Sequence, residues 1–227
     1  MFNIIVLATG NKNKIREIKE LLKDAPIEIK SIADYGTLPP VVEDGDTFEE
    51  NAYKKAHHYA RVLGLPCLAD DSGLVVEALD GRPGVHSARY AGEKATDLEK
   101  CDKLLSEMKG KENRRARFEC VLSLASPGGP ALTWEGSCAG EITTERHGES
   151  GFGYDPVFFY PPMGKTFAEI PMAEKNRVSH RGRALQEFAA EIDKVLIWLG
   201  HRLAEQKPPK PDHKQFENDD WSEKKTD

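Results

Sequence analysis

The segment from Leu68 to Leu74, LADDSGL, constrains the fold of this chain more than any other stretch. An apolar approach that begins at Pro66 leads into two adjacent carboxylates, and a second apolar run follows the glycine. This pattern predicts a buried strand that ends in a turn, with a new strand leaving the turn. Because side chains alternate faces along a strand, we expect Asp70 and Asp71 to point in different directions.

The two carboxylates require an explanation, because an unpaired charge at the end of a buried strand is unfavourable. A cation or metal ion beside Asp70 and Asp71 is one explanation. The alternative is an ordinary polar turn, in which Asp and Ser are common residues. Other segments of the chain decide between these interpretations.

The overall charge argues against nucleic acid as a partner. The chain has 32 Lys and Arg residues against 38 Asp and Glu residues, a formal net charge of −6, and no basic stripe. We therefore expect no nucleic-acid groove. Any bound nucleotide must be held by a local cluster of charges rather than by an overall field.

Several features predict a cytoplasmic protein. No apolar run approaches the length of a membrane span, and the first residues lack a signal-peptide pattern. The four cysteines are widely spaced and form no CxxC pair, which is typical of reduced core residues. We therefore expect no membrane partner.

The first strand and helix enclose a candidate anion site. The apolar run from Asn3 to Ala8 predicts a buried strand, and TGNKNK follows it from Thr9 to Lys14. A helix with an apolar face comes next. Backbone N–H groups at a helix N-terminus bind anions, and Lys12 and Lys14 add positive charge. The loop matches neither the Walker pattern nor GxGxxG, so a solvated turn is the alternative.

The order of elements predicts an α/β domain. A second strand from Ile27 to Ile32 and a helix capped by Thr47 precede the strand that reaches Asp70, which makes a βαβαβ start. A single long helix is predicted after Ser179. We assign residues 1–204 to one domain. The Pro-rich and charged segment 205–227 offers little to bury, which predicts a disordered tail.

Two further segments favour ligand binding. In GFGYD, which ends at Asp155, glycines on either side of an aromatic residue let the backbone approach a flat ligand. In SHRG, which begins at Ser179, the side chains of His180 and Arg181 fall in the first turn of the last helix. Cations there oppose the helix dipole, which indicates a bound anion or polar partner, although surface charge is the simpler alternative.

Taken together, these segments resemble the inosine triphosphate pyrophosphatase family from about Asn3 to Leu199. TGNKNK resembles the family's phosphate loop TGNxxK, with Asn13 where many members have glycine. LADDSGL resembles the central acidic motif, and DTFEENA resembles a further family segment. GFGYDPVF and SHRG resemble the base-binding segments.

The resemblance implies an elongated, two-lobed α/β fold around a long mixed twisted sheet flanked by helices, with the active site in a groove between the lobes. It implies a homodimer that hydrolyses inosine, deoxyinosine and xanthosine triphosphates (ITP, dITP and XTP) to the monophosphate and pyrophosphate. This activity would keep such noncanonical purine nucleotides out of DNA and RNA. It also implies Mg²⁺ as the cofactor, since phosphate-bound Mg²⁺ needs only one or two protein carboxylates.

The resemblance also carries residue roles. Glu43 and Asp71 would bind the metal, and Asp71 would activate the attacking water, with Asp70 as its catalytic partner. The phosphates and sugar would contact Thr9, Asn11, Lys14 and Lys175. The complete set of expected substrate-binding residues is Thr9, Gly10, Asn11, Lys12, Asn13, Lys14, Ser72, Phe152, Gly153, Tyr154, Asp155, Lys175, His180 and Arg181.

Two alternatives remain open from sequence. One is a non-catalytic nucleotide sensor, although it would not need Glu43, Asp70 and Asp71. The other is a pyrophosphatase for other modified or pyrimidine nucleotides. For base choice, we expect Arg181 and His180 to donate hydrogen bonds to the 6-oxygen of inosine, with His180 donating from one or both ring nitrogens. Adenine carries an amino group there and would be rejected.

Overall fold

The computed structural model describes residues 3–205 and contains a seven-stranded mixed sheet in the order β2-β1-β3-β4-β5-β6-β7. The first three strands pair in parallel, with β1 in the middle, and every later pairing is antiparallel. The expected mixed α/β fold is therefore confirmed. The strands are β1 (Ile4–Leu7), β2 (Glu28–Ser31), β3 (Cys67–Val76), β4 (Arg115–Ala125), β5 (Ala131–Ile142), β6 (Phe158–Tyr160) and β7 (Lys165–Thr166).

Six α-helices flank the sheet within these residues, and side-chain caps mark where several begin. Thr47, Thr96 and Ser179 each accept a hydrogen bond from a backbone N–H of the first turn, and the sequence predicted this for Thr47 and Ser179. The helices are α1 (Lys12–Leu21), α2 (Phe48–Leu63), α3 (Asp97–Glu107), α4 (Met172–Val178), α5 (His180–Ala190) and α6 (Ile192–Glu205).

The predicted turn within LADDSGL is wrong. Strand β3 runs without interruption over ten residues, and β4 pairs with it throughout, so Asp70 and Asp71 lie in the middle of the sheet. A mid-strand charge is tolerated because each carboxylate meets a cation on its own face, as described below. Gly73 is required here, since a Cβ atom would overlap the carbonyl oxygen of Gly84.

The C-terminal helix is also not continuous. The expected single helix divides at Glu191 into α5 and α6, and the separate helix α4 precedes them. Helix α5 packs directly on β5, because Gly136 has no side chain and a Cβ atom there would overlap the backbone of His180. This close approach holds the first turn of α5 against the sheet.

Apolar clusters on the sheet frame the site. One cluster contains Phe118, Phe158 and Phe167, and another contains Leu122 and Phe188. Strand β4 carries both Phe118 and Leu122, so this strand connects the two clusters.

Two expectations concern the limits of the domain. The boundary at 204 stays a prediction, and of the expected tail only Glu205, the last residue of α6, belongs to the described part of the chain. Residues 206–227 lie outside it. Between residues 3 and 205, none of the helices has the length and apolar character needed to cross a membrane.

Candidate active site

A cavity of about 510 Å³ collects most of the residues expected to bind nucleotide. Helices α1, α2 and α5 and strand β3 all contribute to its lining. Lys12 does not line it and is exposed on α1, while Asp70 lies behind the wall. The predicted residues that line the cavity are Thr9, Gly10, Asn11, Asn13, Lys14, Glu43, Asp71, Ser72, Phe152, Gly153, Tyr154, Asp155, Lys175, His180 and Arg181.

The predicted phosphate loop ends in a capped helix. The side chain of Asn11 accepts hydrogen bonds from the N–H groups of Asn13 (2.9 Å) and Lys14 (3.3 Å), so α1 begins one residue later. Thr9 Oγ1 accepts from the N–H of Asn11 at 3.2 Å. The loop therefore presents the positive end of α1 and the side chain of Lys14 to the cavity, which suits an anion.

Asp70 and Asp71 point to opposite faces of β3, as expected. Asp70 is fully buried and contacts Lys14 Nζ at 2.9 Å and Arg181 Nη2 at 3.1 Å. Burial alone would raise its pKa, but these two cations hold the pKa well below the ordinary value. Asp70 therefore stays ionised and positions cations behind the cavity wall. It has no direct access to substrate.

Asp71 faces the cavity and shares one cation with Glu43. Lys55 Nζ lies 2.7 Å from Asp71 Oδ1 and 2.7 Å from Glu43 Oε2. Burial raises the pKa of Asp71, although Lys55 opposes the shift. We call Glu43 and Asp71 the carboxylate pair.

The carboxylate pair fits a divalent cation that also binds phosphate. Both groups supply hard oxygen ligands, and Lys55 engages one oxygen of each. No cluster of three or more Asp, Glu, His or Cys side chains suited to a metal occurs within residues 3–205. A metal held here would therefore need substrate phosphates and water as its remaining ligands, which is normal for Mg²⁺.

Sequence reasoning missed Lys55, although a signal for it exists. The residue lies on the inner face of α2, three residues after Ala52 and four before Tyr59, both buried. A lysine on the apolar face of a helix indicates a buried anionic partner. Nearby, the Asn51 amide exchanges hydrogen bonds with the backbone of Gly45, at 2.8 and 3.3 Å, and so anchors the loop that carries Glu43.

The other end of the cavity is a buried ion network. Lys175 Nζ lies 3.0 Å from Glu17 Oε1 and 2.5 Å from Asp155 Oδ2, and Arg181 Nη1 lies 2.5 Å from Glu17 Oε2. Phe152 covers Lys175, with 4.8 Å between Nζ and the ring centroid. With Asp70 and Lys14, the network has three carboxylates and three cations: Glu17, Asp70, Asp155, Lys14, Lys175 and Arg181.

Burial and neighbouring charges act differently on the network's acids. Burial would raise the pKa of Glu17, but Arg181 and Lys175 lower it. Burial raises the pKa of Asp155 despite the contact with Lys175. Glu17 was another residue that sequence reasoning missed. It lies one turn before Leu21 on the inner side of α1, where a carboxylate also indicates a buried partner.

Almost all hydrogen-bond donors of the Arg181 guanidinium group already have a partner. Its Nε donates to Asp70 at 3.2 Å, and Nη2 donates to Asp70 and to Ser72 Oγ, the latter at 2.9 Å. With the Nη1 contact to Glu17, four of the roughly five guanidinium N–H donors are used. One donor on Nη1 remains for a ligand.

His180 is buried and neutral at neutral pH. Burial, with help from Arg181, lowers its pKa well below the ordinary value. Its ring stacks on Phe118 at 4.6 Å between centroids, and Nδ1 has no hydrogen-bond partner among the described residues. A neutral imidazole donates from one ring nitrogen only, so the option of two donors is removed.

Hydrogen bonds to Asp155, Asp97 and Ser87 hold the glycine-rich loop in place. The N–H of Phe152 donates to Asp155 Oδ2 at 3.0 Å, and that of Gly153 donates to Asp97 Oδ2 at 2.7 Å. The Tyr154 hydroxyl donates to the carbonyl of Ser87 at 2.9 Å. The loop is therefore fixed before a ligand arrives. No sequence motif had indicated the wall residues around it, which are Ser87, Ala88, Arg89, Glu93, Asp97 and Lys100.

Comparisons with known proteins agree with this picture. A model of the Ham1 family matches residues 5–191. The chain is 60% identical over 222 residues to the dITP/XTP pyrophosphatase of Desulfotalea psychrophila, covering 98% of this chain and 100% of that protein. It is 54% identical over 198 residues to the protein of the same name from Geobacter sulfurreducens, covering 86% and 98%.

Solved structures show the same fold. The HAM1 protein of Coxiella burnetii has a TM-score of 0.79 at 42% identity, covering 86% of this chain and 100% of that chain. The nucleoside-triphosphatase / dITP/XTP pyrophosphatase of Mycobacterium abscessus has a TM-score of 0.67 at 38% identity, covering 82% and 97%.

Proposed function

We propose that this chain, which belongs to the Ham1 family, hydrolyses noncanonical purine nucleoside triphosphates. The substrates are ITP, dITP and XTP, and the products are the nucleoside monophosphate and pyrophosphate. The observation that carries this proposal is that the positive end of α1, the cations of the buried ion network and the carboxylate pair all line one cavity. A triphosphate needs cations, a nucleobase needs a shaped apolar and polar pocket, and hydrolysis needs a base.

The chain's own residues divide the work. The start of α1 and Lys14 hold phosphates, while Phe152 and His180 contact the base. Asp71 accepts a proton from the water that attacks the α-phosphorus, and the bond to the β-phosphate breaks as pyrophosphate leaves. Burial raises the pKa of Asp71, and a bound divalent cation would oppose this shift. Asp70 acts by positioning Lys14 and Arg181.

Mg²⁺ is part of the proposal, and Glu43 and Asp71 would hold it. When bound, a divalent cation neutralises charge on the triphosphate and so favours the displacement.

A cytoplasmic homodimer is also proposed. The four cysteines are free and buried, which suits a reducing compartment. Exposed apolar side chains on and beside the outer face of α2, namely Val42, Tyr53 and Val62, offer a surface for a second copy.

The proposed reaction is tested with Asp71→Asn, which keeps the shape of the side chain but removes its charge. We expect pyrophosphate release from ITP to fall by a factor on the order of a hundred or more, because Asp71 serves as base and ligand. Asp44→Asn is the matched control. Asp44 is exposed and pairs with Lys54 at 2.7 Å, so its loss should leave turnover near that of the wild type.

A panel of triphosphates separates the alternatives. Binding of ITP without turnover by the wild type would indicate a sensor, and preferred turnover of pyrimidine or other modified nucleotides would indicate a different pyrophosphatase. Normal hydrolysis by Asp71→Asn would remove Asp71 from the reaction.

A further inference from the structure

Lys55 occupies a position that the proposed reaction does not use. Its ammonium group bridges Glu43 and Asp71, 2.7 Å from an oxygen of each. These are the two residues proposed to bind Mg²⁺. A metal ion held by both carboxylates must also lie close to both, so it would have to share the space with the ammonium group.

The position of Lys55 is built into the fold. The side chain is 9% exposed and lies among buried residues on the inner face of α2. The neighbouring Lys54 differs in exposure and in partner, because its side chain is 39% exposed and pairs with the surface residue Asp44. A buried lysine is costly unless its charge is paired, and the carboxylate pair provides that partner.

Electrostatics makes the ammonium group and a divalent cation competitors. Two cations a few ångströms apart repel each other strongly in a partly buried site. Glu43 and Asp71 carry two negative charges and Lys55 one positive charge, which leaves a net charge of −1. Without nucleotide, a metal ion must displace the ammonium group from a satisfied contact.

A triphosphate changes this balance. Lys55 lines the same cavity as Lys14 and the loop before α1, where phosphates are proposed to bind. Phosphate oxygens there offer the ammonium group new partners, so it can leave the carboxylates without losing its ion pairs.

We propose that Lys55 is a positioning residue that holds Glu43 and Asp71 together in the nucleotide-free protein and releases them to the metal ion when a triphosphate binds. This inference rests on the proposed function, because it takes Glu43 and Asp71 as the metal ligands. Its consequence is a positive coupling between metal and nucleotide, in which each raises the affinity for the other.

The test measures metal affinity rather than turnover. Free Mn²⁺ is followed by electron paramagnetic resonance during titration of the wild type and of Lys55→Met, each with and without the α,β-imido analogue of ITP. Without nucleotide, we expect Lys55→Met to bind Mn²⁺ about tenfold or more tightly than the wild type, because the competing charge is gone. The increase in affinity on adding the analogue should be smaller in the variant than in the wild type.

The controls separate charge from structure. Lys54→Met should bind Mn²⁺ like the wild type, and Lys55→Arg, which keeps the charge, should not gain affinity. If Lys55→Met fails to fold, Lys55→Gln takes its place, since its amide still donates a hydrogen bond to a carboxylate.

Equal or weaker Mn²⁺ binding by Lys55→Met, or by Lys55→Gln in its place, would overturn the proposal, because a merely structural lysine would disorganise the ligands when removed. The result does not depend on hydrolysis. A wild type that binds Mn²⁺ as expected but turns over no purine triphosphate would contradict the proposed function and leave the role of Lys55 intact.

Discussion

The two ends of the cavity use the same charged groups in different proportions. In the buried ion network, three carboxylates face three cations, and the side chains of Asp70 and Arg181 are 0% and 3% exposed. In the carboxylate pair, two carboxylates share Lys55, and Glu43 is 41% exposed. One end is neutral and closed, and the other is negative and partly open.

This difference shows which end of the cavity is already complete before a ligand binds. A buried charge without a partner is strongly unfavourable, so a closed network must be neutral to exist. A partly solvated carboxylate pair can carry excess negative charge at a lower cost, because water screens it. The closed end is therefore pre-organised to shape the base pocket, whereas the open end is suited to take up a further cation.

The strongest test of the comparison is Glu17→Gln, which removes one negative charge from the neutral network. Lys175 and Arg181 each lose an ionic partner while staying buried. We expect the free energy of unfolding, measured by urea denaturation, to fall by about 3–5 kcal/mol.

Glu20→Gln is the matched control for this experiment. Glu20 lies on the same helix and pairs with Lys23 on the surface, so its replacement should leave stability nearly unchanged. A loss for Glu17→Gln no larger than that for Glu20→Gln would mean that the network does not depend on charge balance.

A second experiment asks whether the closed end also selects the base. Arg181→Lys keeps the charge that Asp70 and Glu17 require but loses the planar donor fork. If the remaining Arg181 donor contacts the 6-oxygen, kcat/KM should fall more for ITP than for ATP. The ratio of the two should shrink by about tenfold or more, the equivalent of losing one buried hydrogen bond.

Thermal unfolding of Arg181→Lys must accompany this measurement, so that loss of fold is not mistaken for loss of selectivity. An equal fall for ITP and ATP would show that Arg181 serves only the network, and that selection at position 6 depends on another group, with His180 the next to examine.

The smallest expected effect is a change in how the stability of the protein depends on pH. The folded state holds the pKa of Asp70 below its unfolded value of about 4. Such a group stabilises the protein above that pH, and the stabilisation is lost as the pH falls below it. Asp70→Asn should lower stability at pH 7 but flatten the decline between about pH 4.5 and 3. Urea midpoints at several pH values measure this decline, and an unchanged slope would contradict the role of Asp70.

Local patterns in the sequence predicted much of this protein. Caps at Thr47 and Ser179 depend on residues a few positions apart, and the opposite orientation of Asp70 and Asp71 follows from strand geometry alone. The motifs also identified about half of the residues that line the cavity, because they carry their chemistry in short segments.

Only the tertiary structure decided which charges meet. Glu17 and Lys175 are 158 positions apart, and Lys55 meets Asp71 across 16. The segment expected to turn at Asp70 is part of a continuous strand, because cations from helices α1 and α2 pair with the carboxylates of Asp70 and Asp71. Local propensity acts over a few residues, whereas the energy of a buried charge depends on partners that the folded chain brings together.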